Sequence, residues 1–181
     1  MGGGIVRSLH LLIPAAAGGD LAAPYHDAEQ AVWSEVVASY RCYPRVWASA
    51  DEGAMLLAEE VDELWDEVRG NRVESARAEA VQAAAMAVRF IADLCECTGS
   101  AKRRCQAAAA VCRDLRGLVG PAHALVSTHE GFGFVRREYD TLWSAVTSGA
   151  DVRIPAARVA AMAVRFIAEV GSPAIAFGRT R

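Results

Sequence analysis

Residues 84–92 read AAMAVRFIA, and residues 160–168 read AAMAVRFIA again. Nine consecutive identities that include Met, Arg and Phe are more than an Ala-rich composition produces by accident, so the chain carries an internal repeat. The match continues upstream with a spacing change of two residues. Glu52-Gly53 recurs as Glu130-Gly131, each glutamate preceded at three residues by a serine, Ser49 and Ser127. Asp62-x-Leu64-Trp65 recurs as Asp140-x-Leu142-Trp143. Ser-x-x-Glu is the form of a capping box, in which the serine oxygen and the glutamate satisfy amide groups left open at a helix start, and it is present twice. The chain therefore reads as a tandem duplication of a helical-hairpin unit, with halves at 25–97 and 101–170.

The apolar spacing outward from the repeat is helical throughout. After Ser49, the residues Leu57, Val61, Leu64, Trp65 and Val68 line one face before Gly70-Asn71, which predicts a helix over about 50–69. From about Asp27, the stripe Val32, Trp33, Val36, Val37 and Tyr40, with Glu29, Ser34, Glu35 and Ser39 off it, predicts a preceding helix. Ala- and Val-rich text predicts a third helix over about Ser75–Cys97 and a fourth over about Ala101–Leu118, ahead of Gly120-Pro121. No stretch alternates like a strand. Duplicated hairpins with one apolar face each bury those faces against one another, so the expected fold is all-α: a pseudo-twofold bundle of about six helices in one domain, 25–170. The short connection at Thr98-Gly99-Ser100 leaves little room for a flexible linker between halves. Residues 1–24 are expected to be a flexible extension and 171–181 a tail.

The 181 residues are 53% hydrophobic and 23% charged, enough for one ordinary core and too apolar for disorder over most of the length. A net charge of -3 gives no dominant basic face, which argues against nucleic acid as a partner. No apolar run approaches the ~20 residues of a membrane-spanning helix. The five cysteines, Cys42, Cys95, Cys97, Cys105 and Cys112, are odd in number and lack paired zinc-ligand spacing, so buried or idle thiols in a reducing cytoplasm are expected. The apolar patch Leu9–Ala17 is interrupted by His10 and Pro14 and reads as extension rather than export signal. Val6 stands where a myristoylation signal has Ser or Thr.

The second predicted helix carries Glu59, Glu60, Asp62, Glu63, Asp66 and Glu67, and like charges at i, i+3 and i+4 repel. Glu60, Glu63 and Glu67 form a stripe beside the apolar one. On the third helix Glu79 and Gln82 continue into the line of Met86 and Phe90, which points them inward. A carboxylate facing a helix interface without a basic partner must be protonated, paired or metal-bound. Glu60, Glu63 and Glu79, with Gln82 as a neutral oxygen ligand, would suit Mg²⁺ or Mn²⁺. The alternative reading of the same residues is a solvated acidic face, with Glu79 favoured by the dipole of its helix start.

Glu59-Glu60-Val61-Asp62-Glu63, followed after fifteen residues by Glu79-Ala80-Val81-Gln82, resembles the EExxE…ExxD signature of the MazG-like all-α nucleoside triphosphate pyrophosphohydrolases. The likeness covers about residues 49–94, with a decayed copy at 127–170. It implies Mg²⁺ on Glu60, Glu63 and Glu79, with Gln82 in the aspartate position, and Glu59 as an outer carboxylate or water-orienting base. It implies hydrolysis of nucleoside triphosphates to monophosphate and pyrophosphate, in the upkeep of the nucleotide pool, by a monomeric pseudo-dimer or a homodimer. In the second half Arg137, Glu138 and Thr141 align with the first three glutamates, and Pro155 and Arg158 with Glu79 and Gln82, so the metal residues are gone. Gln82 and this degenerate half equally suit a second reading, a catalytically silent module that binds a nucleotide or protein partner.

Arg89 and Arg165 occupy the same slot of the repeat, which favours a structural role for both. Lys102 and Arg103, with Arg104, form the only basic cluster and are candidate triphosphate contacts, against a solvated helix start. His26, His123 and His129 show no metal spacing, and there is no Walker loop.

Overall fold

The computed structural model describes residues 22–96 and 98–170. The chain runs through α1 (Ala22–Cys42), α2 (Ala50–Arg69), α3 (Val73–Leu94), α4 (Ala101–Leu115) with a 3₁₀ turn at Arg116–Leu118, α5 (Thr128–Ser148) and α6 (Arg153–Glu169). It is an all-α six-helix bundle, with no strand among the described residues. α2 and α5 begin where the capping boxes place them: Ser49 Oγ accepts from Glu52 N and Ser127 Oγ from Glu130 N, each at 3.1 Å. The glutamates do not reach back to the capping serines. They accept instead from the preceding amides, Ala48 N at 2.6 Å and Val126 N at 2.8 Å, which pins the entering chain one residue earlier.

Three expected boundaries shift. α1 starts at Ala22, before Asp27 and inside the expected extension, because Pro24 in the first turn has no intrahelical N–H to lose. α3 ends at Leu94, where the Cys95 N–H closes on Ile91 O, and the fourth helix tightens to a 3₁₀ turn after Leu115. The remainder of the extension, residues 1–21, and the tail, 171–181, lie outside the described residues, as does Cys97.

α3 and α6, which carry the repeated nonapeptide, pack on each other at the centre. α2 and α5 cover one face of this pair, and α1 and α4 the other. Alanine makes the arrangement possible. Ala76, Ala80, Ala83, Ala84 and Ala87 of α3 and Ala156, Ala157, Ala160 and Ala163 of α6 are fully buried, so backbones approach closely while Phe90 and Phe166 fill the spaces between layers. A helix surrounded on all sides must be apolar or internally paired on all sides, and α6 is buried continuously from Val159 to its end at Glu169 with Arg165 and Glu169 paired to each other.

The pseudo-twofold extends to the polar core. Arg89 is buried and donates to the carbonyls of Ser39, Tyr43 and Arg45, holding the chain that enters α2. Arg165 donates to the carbonyls of Val119, Pro121 and His123, holding the chain that enters α5. Each pairs with a carboxylate one turn on, Asp93 and Glu169, which in turn accepts from a tyrosine of α1, Tyr40 and Tyr25. Both arginines are structural. Ser39, expected off the apolar stripe, is buried because its carbonyl belongs to this network. Gly53 and Gly131 complete the correspondence: a Cβ would stand 2.8 Å from the Phe90 ring in one half and 2.6 Å from the Phe166 ring in the other.

Candidate functional site

α2 turns Leu57, Val61, Leu64 and Val68 to the core, and that choice leaves Glu60, Glu63 and Glu67 along one flank. Its other flank meets α5, where Asp62 pairs with Arg136 and Trp65 stacks on Phe132. α3 turns Ala76, Ala80 and Ala83 inward, which sets Glu79 and Gln82 beside the glutamate flank of α2. The hairpin fixes their register. Glu63 and Glu79 lie equally far in sequence from Asn71 at its turn, and so do Glu60 and Gln82, so the two pairs face each other across the α2–α3 seam.

One carboxylate oxygen from each of Glu60, Glu63 and Glu79 lies within 4.8 Å of the others, the one such acidic or thiol and imidazole cluster among the described residues. Glu60 and Glu79 are half-buried and Glu63 is exposed. Glu60 Oε2 is buried with no hydrogen-bond partner, and it alone has that status among the described residues. Burial pushes the Glu60 carboxyl up to about 7, helped by the charges of Glu63, Glu79, Glu59 and Glu35. Glu79 is also raised, first by burial and then by Glu63 and Glu67, while the Gln82 amide opposes the shift by donating to Glu79 Oε2 at 2.7 Å. The guanidiniums near the turn of this hairpin are engaged elsewhere: Arg72 by Glu67 and by the carbonyl of Asp66, Arg69 by Asp66, and Arg77 by the carbonyl of Val170. The cluster thus concentrates negative charge with no paired cation among the described residues.

Glu59 is exposed at the edge of the cluster and bears on it through space. Glu35 is a participant that the sequence did not mark. It was expected on the solvent side of α1, yet it is half-buried and its charge reaches Glu60, because α1 packs on α3. The signal for it was present only as a position bordering the apolar stripe. Lys102 and Arg103 are not brought to the carboxylates. They are exposed at the start of α4, and Arg104 next to them donates to Ala92 O at the far end of α3 from Glu79, about 20 Å along the helix axis.

The second half shows what became of the equivalent position. Glu138, aligned with Glu60, is only 4% exposed. Arg158, aligned with Gln82, reaches across the α5–α6 seam and donates to both its oxygens, Nε at 2.7 Å and Nη2 at 2.9 Å. A covalently attached cation therefore occupies the seam of the second half, where the first half has clustered carboxylates and an orphaned oxygen. Comparison with known protein families, with curated proteins and with solved structures returns no match for this chain. No helix among the described residues is long and apolar enough to cross a membrane.

Proposed function

We propose that the chain is a Mg²⁺- or Mn²⁺-dependent nucleoside triphosphate pyrophosphohydrolase of the MazG-like kind its motif resembles, with one working site and one plugged site. The observation that carries the reading is Glu60 Oε2: a buried carboxylate oxygen without a partner, facing two more carboxylates, is expensive unless a cation joins it. The donor set fits. Hard divalent ions take carboxylate oxygens, and opposite ligands of a Mg²⁺ octahedron stand about 4.2 Å apart, close to the spread already present. Glu60, Glu63 and Glu79 would hold the ion, and Gln82 would steady Glu79 and offer its carbonyl oxygen.

When bound, the ion would neutralise the phosphate chain and acidify the attacking water. The residues of the chain supply the rest. Glu59, exposed at the edge of the cluster, accepts the proton of the water as its oxygen bonds to the α-phosphorus. The bond to the bridging oxygen breaks, and pyrophosphate leaves with that oxygen. Glu35, on α1, adds negative charge behind Glu60 and favours a cation at the seam.

The silent-module reading draws on Gln82, which brings no charge, and on the Arg158 plug. One assay separates the two: pyrophosphate release from a panel of standard, deoxy and oxidised nucleoside triphosphates with Mg²⁺ or Mn²⁺, run beside Glu63→Gln and Glu60→Gln. Turnover that vanishes in both variants supports the enzyme. Absence of release from every substrate by folded protein, or normal rates in both variants, overturns it.

A further inference from the structure

A cavity lies on the face of the central pair away from α2 and α5. α1 and α4 each pack on α3 and α6 but not extensively on one another, and between them opens a cavity of about 470 Å³. Val88 of α3 and Val164 of α6 line it, and these are the same position of the repeated nonapeptide, so the cavity straddles the axis relating the halves. Val32, Val36, Ala109 and Ala160 continue the apolar surface. A cavity of this size, apolar with a few polar groups gathered at one place, has the character of a small-molecule site.

The polar groups lie at the mouth. Glu29 of α1 accepts from Arg113 Nε at 3.0 Å and from Arg116, both on the α4 side, so two guanidiniums share one carboxylate and the mouth holds surplus positive charge. Arg116 is further fixed over the ring of Tyr25, 4.2 Å from its centroid. Arg113 has a side chain 55% exposed and donates to Glu29 through Nε, which leaves its terminal nitrogens for a second anion. The same ion pairs bridge the mouth, which leaves space for a small molecule rather than for a helix about 10 Å across from another chain. The acidic cluster is separate: Glu35 and Glu29 lie on different flanks of α1.

We propose that this cavity binds a small amphipathic monoanion, with its aliphatic body against Val88 and Val164 and its carboxylate on Arg113. The anion completes the charge balance at the mouth, and the valines take the apolar part out of water. A neutral amphiphile keeps only the second contribution.

The test is calorimetric titration of the full chain with decanoate and with decanol, both below the concentration at which they aggregate. Decanoate is expected to bind saturably, one per chain, at least tenfold tighter than decanol. Arg113→Ala is expected to weaken decanoate tenfold or more and leave decanol unchanged, and Val164→Trp, which fills the floor, to abolish both. Circular dichroism checks the fold of each variant, and if Val164→Trp does not fold, the Arg113→Ala comparison decides alone. No saturable decanoate binding, equal binding of the two probes to the unmodified chain, or Arg113→Ala binding decanoate normally overturns the proposal. So does dimerisation without decanoate that Val164→Trp abolishes in a folded chain, which would assign the groove to a second copy.

Discussion

Replacing Glu60 with Gln should stabilise the protein when no divalent cation is present and destabilise it relative to the unmodified chain when one is. The carboxyl is pushed up to about 7 from an ordinary 4.5. For an acid, a raised pKa means that the folded state binds the proton more tightly than the unfolded state. Stability is therefore highest below about 4.5, falls as pH rises through the window to about 7, and is flat above it. A displacement of this size corresponds to about 3 kcal/mol at most, and partial exposure of the carboxyl with solvent screening reduces it to about 2 kcal/mol. Glu60→Gln removes that penalty at pH 8, worth roughly 4–8 °C in melting temperature for a chain of this length. At pH 4, where the carboxyl is protonated in both states, the variant and the unmodified chain should melt alike. With millimolar Mg²⁺ at pH 8 the unmodified chain gains the free energy of binding, which the variant has lost, and the order inverts. Differential scanning calorimetry at the two pH values, in chelator and in Mg²⁺, reads all four points. If Glu60→Gln is destabilising in chelator by the same amount at pH 4 and pH 8, the oxygen is not orphaned and the reasoning fails.

Three further outcomes follow from the packing. Arg158→Gln strands Glu138 in the α5–α6 seam and should cost about 3–5 kcal/mol at pH 7 by urea denaturation, whereas the double change with Glu138→Gln should recover most of it. Gly131→Ala places a methyl 2.6 Å from the Phe166 ring and should cost about 1–3 kcal/mol, whereas Gly133→Ala, on the exposed face of α5 with nothing within 4 Å, should stabilise by about 0.5–1 kcal/mol. Cys112 is buried with its thiol pushed up to about 12 by burial, so in native protein it should resist a thiol reagent that labels the exposed Cys42 quickly, with mass spectrometry of peptides as the readout.

Much of the architecture was legible because it rests on local and periodic signals. The two Ser-x-x-Glu boxes place the starts of α2 and α5, since capping is decided within four residues. The repeated AAMAVRFIA marks the two helices that lie at the centre, because a sequence that is apolar on every side but for one arginine with its own partners survives burial on every side. The carboxylate cluster was legible as a stripe, since i, i+3 and i+7 fall on one helix flank and a short turn fixes the opposing helix in register.

What the sequence determined alone is therefore what depends on neighbours in the chain: helical class, caps, the duplication, and which flank of α2 carries glutamates. Only the tertiary structure decided what depends on partners far away in sequence. Ser39 and Arg89 are fifty residues apart and meet because a buried guanidinium must find carbonyls, and the end of α1 with the loop entering α2 presents three. Glu35 joins the cluster because α1 settles on α3, and Lys102 and Arg103 stand apart from it because α4 docks at the other end of that helix. Glu138 differs from Glu60 for the same kind of reason: its spacing resembles that of Glu60, but a guanidinium from α6 satisfies both its oxygens. Burial and charge are summed over all neighbours at once, and that sum exists only when the helices are packed.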